Sequence, residues 1–179
     1  MRWTQPTYSW QELLCLSTLA YLGPRRHAAS CLRRRDVDLE RGTIRFREKG
    51  RRVITKPVPD EFAGLLRVAL DAGAIGAAPD AYVIPMVRGQ RRKGDRDDRI
   101  VSRIIERLGD RAGVEVSPHP LRAAFAVQFL ETHPGELEAL QRLMGHSRWR
   151  RPRSTFGAST ASGRWSASGT SLGVPRSHP

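Results

Sequence analysis

Residues 118–147 read PHPLRAAFAVQFLETHPGELEALQRLMGHS, and the fold is decided there. Pro118 and Pro120 suit the opening turn of a helix, where a missing N–H costs nothing. Apolar residues then recur at Ala123, Ala124, Phe125, Val127, Phe129 and Leu130, a spacing that predicts a helix with these side chains packed inward. Leu137, Leu140, Leu143 and Met144 mark a further helix, closed by Gly145 at its C-terminal cap. His119 and Arg122 stand three apart, so they share one helix face. That face lies near a helix N-terminus, whose unpaired N–H groups favour anions. His146 follows the capping glycine and is expected to point away from the core.

Upstream, the pattern continues in short elements. Leu13, Leu14, Leu16, Leu19, Ala20 and Leu22 predict a helix with a wide buried face, stopped by Gly23-Pro24. A second helix starts at Pro24 and carries Ala28, Ala29, Cys31 and Leu32. Thr43 to Arg47 alternates with period two, Glu48-Lys49-Gly50-Arg51 is a polar turn, and Val53 to Val58 returns. This is a hairpin. Residues 60–70 predict a helix through Leu65, Leu66, Val68, Ala69 and Leu70, and residues 81–85 a short third strand. Residues 88–99 form a charged loop, and Ile100 to Ala112 a helix with Val101, Ile104, Ile105 and Leu108 on one face. The expected class is α+β: a mainly helical domain with a small antiparallel hairpin or three-stranded sheet.

Composition narrows the function. The chain has 179 residues, with 31 Lys+Arg against 18 Asp+Glu, a formal net charge of +13. Six arginines and no acid fall in residues 148–179, leaving 25 basic and 18 acidic side chains before them, a net +7. A moderately basic body is consistent with a polyanionic partner. Lys49, Lys56 and Lys93 are the only lysines. That bias suits bidentate phosphate contacts, and it equally reflects a GC-rich genome. No apolar run approaches membrane-spanning length and mean hydropathy is −0.47, so no membrane partner is expected. Two cysteines, Cys15 and Cys31, fit a reducing cytoplasm rather than a disulfide scaffold. A metal site on His119, His133 and His146 is disfavoured, because no acidic or cysteine cluster completes it at ligand spacing.

Arg25, Lys49, His119, Arg122 and His146 are the candidate site residues. Singly, each reads equally as a solvated side chain. Together, in this order, they resemble the catalytic domain of tyrosine recombinases, the phage-integrase family. The matching stretches are residues 21–26 (YLGPRR), 35–44 (RDVDLERGTI), 48–50 (EKG), 119–122 (HPLR) and 143–147 (LMGHS). The resemblance covers about residues 9–148. His-x-x-Arg followed 24 residues later by the Gly-His-Ser corner, with Arg25 and the Lys49 hairpin upstream, is a specific combination.

The resemblance implies a chemistry. In this family a tyrosine hydroxyl attacks a DNA phosphodiester, forming a phosphotyrosyl bond and releasing a 5′-hydroxyl. No metal takes part, so cations of the protein hold the phosphate in its pentacoordinate transition state. By resemblance, Arg25 and Arg122 clamp the non-bridging oxygens and Lys49 protonates the leaving oxygen. His119 assists proton transfer, and His146 hydrogen-bonds the phosphate. No cofactor is implied. The implied partner is double-stranded DNA, on which family members assemble as tetramers through a C-terminal helix that is expected to be missing here.

Three departures stand out. Pro24 and Ala28 occupy places where many relatives carry Leu and an acid, and that acid often supports the first arginine. Relatives usually carry an N-terminal DNA-clamping domain, whereas here the catalytic part is expected to begin within about ten residues of Met1. The family nucleophile falls about nine residues after the last histidine, near position 155, which is Thr155 here. The tyrosines are Tyr8, Tyr21 and Tyr82, all far upstream.

A shift of frame would account for that last departure. If Arg148 to Gly157 were encoded CGG TGG AGA CGA CCC AGG TCT ACC TTC GGC, one choice among the synonymous codons, reading from the third base would give VETTQVYLR. One base restored after Arg148 then sets a tyrosine nine residues beyond His146. The expected division is a catalytic domain at 1–148 and a disordered, out-of-frame tail at 149–179. The functional expectation is a recombinase-type DNA-binding protein, inactive as it stands. The alternatives are a DNA-binding module that does not cut, and a pseudogene product without a role.

Overall fold

A computed structural model describes residues 8–48, 52–85 and 97–145. The charged loop, for the most part, and the C-terminal tail lie outside these residues, as do Lys49 and His146. The described residues all belong to one compact unit, residues 1–148.

The first helix, α1 (Trp10–Leu22), begins with a reciprocal cap. The Ser9 hydroxyl accepts from the Glu12 N–H at 3.3 Å, and the Glu12 carboxylate accepts from the Ser9 N–H at 2.9 Å. Arg111 and Arg107 also reach that carboxylate, at 2.9 and 3.4 Å. Burial would raise the Glu12 pKa, but the bonds from Ser9 and the two arginines outweigh it and hold it below the ordinary value.

Two apolar clusters draw on neighbouring parts of one broad face of α1. Leu14 and Leu22 join Phe46, Phe62 and Leu66 in one. Cys15 and Leu19 join Val101, Ile104 and Ile105 in the other. The buried face of α1 is wide because both clusters share it, and it takes in polar residues as well as apolar ones. Leu16 and Ala20, expected inside, face solvent, while Gln11, Glu12 and Thr18 are buried.

After α1 come α2 (Arg26–Ser30), a 3-10 turn at Arg34–Asp36, and strands β1 (Val37–Asp38), β2 (Thr43–Glu48) and β3 (Arg52–Pro57). The sheet is antiparallel in the order β1-β2-β3, with Ile44 opposite Lys56 and Phe46 opposite Ile54. The hairpin matches expectation. The third strand does not: it is Val37–Asp38, and Tyr82 contributes only an isolated bridge to Arg33. Helix α3 (Asp60–Asp71) buries Phe62, Ala63, Leu66 and Ala69, and Val68 turns outward. Helix α4 (Arg99–Ala112) buries Val101, Ile104 and Ile105 as its spacing required.

Helix α5 (Pro118–Thr132) departs most from expectation. Arg122 is its one fully buried residue. Ala123, Ala124 and Val127 are exposed, and Phe125, Phe129 and Leu130 are half-buried. Among the described residues α5 leans on α1, α4 and α6 (Leu137–Leu143) along one side only. Periodicity reports which side of a helix is apolar, not whether an element lies over it.

Gly23 permits the close approach of α5 to α1. It caps α1 with φ at 51°, and a Cβ there would lie 2.4 Å from Cδ1 of Phe125. Gly23→Ala is expected to cost about 2 kcal/mol, from left-handed strain plus overpacking. Urea denaturation measures it, and a loss well under 1 kcal/mol would show that the approach is not tight.

Candidate active site

The cleft forms where the junction of α1 and α2 and the start of α5 meet the side of α4. Arg25 stands at the N-cap of α2, two residues after the glycine that ends α1. His119 and Arg122 lie in the first turns of α5. All three line one cleft of about 610 Å³, joined by Arg26 and, from α4, by Ser102 and Glu106. Arg26 is held across it by Asp98 at 3.1 Å and Ser102 at 3.3 Å.

Arg122 is the structural centre. One of its terminal nitrogens donates to the Gly23 carbonyl at the end of α1. The other donates to the Met144 carbonyl at the end of α6, at 2.7 Å. These carbonyls lie where helices leave acceptors unpaired and their dipoles are negative. A guanidinium has five N–H groups, so three remain for an anion. Burial lowers the Arg122 pKa, as does Arg25, while Glu48 opposes the shift.

His119 is exposed and sits second in α5. The anion-binding capacity of this helix end is smaller than expected. Of the first four residues of α5, Pro118 and Pro120 carry no N–H, which leaves two donors rather than four.

Lys49 and His146 fall outside the described residues, but the residue before each is placed. Glu48 bonds Nη1 of Arg25 at 2.5 Å. Gly145 has φ at 64°, and a Cβ on it would lie 3.8 Å from the same Nη1. Arg52 also reaches the Gly145 carbonyl, at 3.5 Å. The chain positions leading into Lys49 and His146 thus both abut Arg25.

Two members of this region escaped sequence reasoning. Glu48 ends β2 with its side chain 4% exposed, and Lys56 on β3 is 2% exposed. The Lys56 ammonium donates to the Leu22 carbonyl and lies 5.6 and 5.4 Å from the rings of Phe46 and Phe125. Burial lowers its pKa from 10.5 to about 7, helped by Arg122 and Arg25 and opposed by Glu48. Glu48 did carry a signal: period two sets it on the face of Ile44 and Phe46. Lys56 carried none until the register placed it opposite Ile44.

Cations converging on one cleft from α2 and α5, beside a glycine corner, suit a tetrahedral anion. Residues 4–153 match the family model described as the phage integrase family. The chain belongs to that family.

Its integrase-family relatives include the tyrosine recombinase XerA of Thermococcus kodakarensis, 36% identical over 145 residues, which are 79% of this chain and 49% of the relative. The tyrosine recombinase XerC of Xanthomonas axonopodis is 35% identical over 128 residues, 70% of this chain and 39% of the relative. The chain thus spans half or less of the length of these two curated relatives. Among solved structures, XerA recombinase superposes with a TM-score of 0.61 at 26% identity, covering 83% of this chain and 57% of that one. The integrase of mycobacterium phage Brujita shares the fold at 24% identity and a TM-score of 0.62, over 78% of this chain and 44% of that one. Among the described residues no helix is long and apolar enough to cross a membrane, and no three His, Cys, Asp or Glu side chains are grouped to hold a metal.

Proposed function

We propose that residues 1–148 form a tyrosine-recombinase catalytic domain that grips double-stranded DNA by its phosphates and, in this chain, does not cut it. The observation that carries the reading is the convergence of Arg25, His119 and Arg122 on one cleft. Arg25 and Arg122 clamp the non-bridging oxygens of one phosphodiester, with His119, Lys49 and His146 serving the proton transfers and the remaining phosphate contact. The missing activity follows from the missing nucleophile: position 155 is Thr, and no tyrosine follows Tyr82. Tyr21 is engaged elsewhere, its ring stacked on Phe62 at 5.9 Å.

Residues 149–179 are the out-of-frame tail in this reading, so their arginines are no evidence for DNA binding. Sequencing the locus tests that part. Codons for Arg148 to Gly157 that cannot encode VETTQVYLR in the neighbouring frame would end it.

Binding is tested with a nicked duplex whose cleavage traps the covalent complex. Fluorescence anisotropy is expected to show affinity falling about 10²-fold between 50 and 200 mM salt, as neutralising about four phosphates requires. No adduct resistant to detergent is expected. An adduct would overturn the claim of inactivity, and an absence of salt-dependent binding would overturn the claim of DNA recognition.

A further inference from the structure

Arg25 has an aiming problem. It stands at an N-cap with φ −67° and ψ 149°, its side chain makes no capping bond, and that side chain is 46% exposed. An arginine so placed samples many rotamers and would spend much of its time in water. Nothing on its own helix restrains it. Helix α2 reads RHAAS, without an acid, and Ala28, one turn on, is packed into the core at 2% exposure. The restraint comes from the sheet. Glu48 points inward from the end of β2, and its Oε2 accepts from Nη1 of Arg25 at 2.5 Å. The same carboxylate also acts electrostatically on Lys56 and Arg122. One anchored anion thus faces three cations.

We propose that Glu48 is the positioning residue that holds the Arg25 guanidinium in the anion-binding cleft, a task done here from strand β2 because helix α2 supplies no carboxylate. The inference rests on the reading of the cleft as a DNA-phosphate site. It makes a counter-intuitive demand. A carboxylate beside an anion site repels the ligand, so deleting its charge should tighten binding if charge were its only effect. If Glu48 aims Arg25, deletion must weaken binding despite the added positive charge.

The test is a double-mutant cycle on the full chain with Arg25→Ala, Glu48→Gln and the pair, reading affinity for a duplex at 100 mM salt. Glu48→Gln is expected to weaken binding about fivefold to tenfold in the parent, and to cause no further loss in the Arg25→Ala background, where only its repulsion of the anion is left to remove. Nitrogen-15 NMR of the arginine side chains supplies a readout that does not depend on DNA. The terminal N–H signals of Arg25 are expected to be slowed and resolved in the parent and averaged in Glu48→Gln. Should that variant fail to fold by circular dichroism, Glu48→Asp keeps the charge, shortens the reach, and is read by the same two measurements. Tighter or unchanged binding on loss of Glu48 overturns the proposal, as does an equal loss in both backgrounds or an unchanged Arg25 spectrum. A parent chain that fails to bind the duplex would overturn the DNA reading instead, and the Arg25 signals would still decide what Glu48 does.

Discussion

Arg122→Ala is expected to lower the free energy of unfolding by about 3–5 kcal/mol and to abolish measurable affinity for duplex DNA. The stability loss has two sources. The Gly23 and Met144 carbonyls lose their guanidinium donors, and Arg122 is only 8% exposed, so water cannot readily replace them. Leaving a buried acceptor unpaired costs about 1–3 kcal/mol, and here there are two. The affinity loss is linked in the proposed reading, where Arg122 offers its remaining N–H groups to a phosphate while it ties the ends of α1 and α6 together. Arg122→Lys separates these tasks: it keeps the charge but cannot span two carbonyls at once. Its stability is expected midway between parent and alanine variant. Denaturant titration and hydrogen exchange in α6 measure both, and an alanine variant within 1 kcal/mol of the parent would show that the carbonyls find other donors.

Lys56→Met is expected to stabilise the protein by about 3 kcal/mol at pH 6, the opposite of what truncating a buried side chain usually does. The folded-state pKa is about 7 and the ordinary value 10.5. Below about pH 7 both states hold the proton, and the folded one carries a buried cation beside Arg122 and Arg25. Between about pH 7 and 10.5 the unfolded chain binds the proton and the folded chain does not. Stability of the parent therefore rises with pH across that window, by an amount on the order of 4 kcal/mol. Methionine fills the same volume without the charge, so its variant should be flat over the window. The Leu22 carbonyl loses a donor in exchange, which offsets about 1 kcal/mol of the gain. Denaturant titrations at pH 6 and pH 9 decide it. A parent equally stable at both would mean that Lys56 keeps its proton throughout.

What could be read from the sequence divides along physical lines. Elements whose burial is set locally were legible. The Ile44–Phe46 alternation gave the hairpin, and Val101, Ile104 and Ile105 gave the inner face of α4. Elements whose burial depends on a distant partner were not. The α5 residues Ala123 and Val127 have the right spacing for a core, but no described element covers them. The third strand was misplaced because two residues, Val37 and Asp38, carry no period to detect. Arg25, His119 and Arg122, picked out by the order of their motifs, come together in one cleft. Period two marked Glu48 as an inward position without saying what it meets, and Lys56 was hidden because its significance lies in cross-strand register and in what the sheet packs against.

The bond from Arg122 to the Gly23 carbonyl joins residues 99 positions apart, and its companion to Met144 closes the corner. During synthesis the first helix, the hairpin and the helices behind them can collapse while the ribosome is still adding later residues. The Arg122 corner cannot. Until residue 144 has cleared the exit tunnel, the emerging polypeptide lacks the carbonyl that completes it, and a nascent chain can therefore acquire much of its shape before the ends of α1 and α6 are tied together.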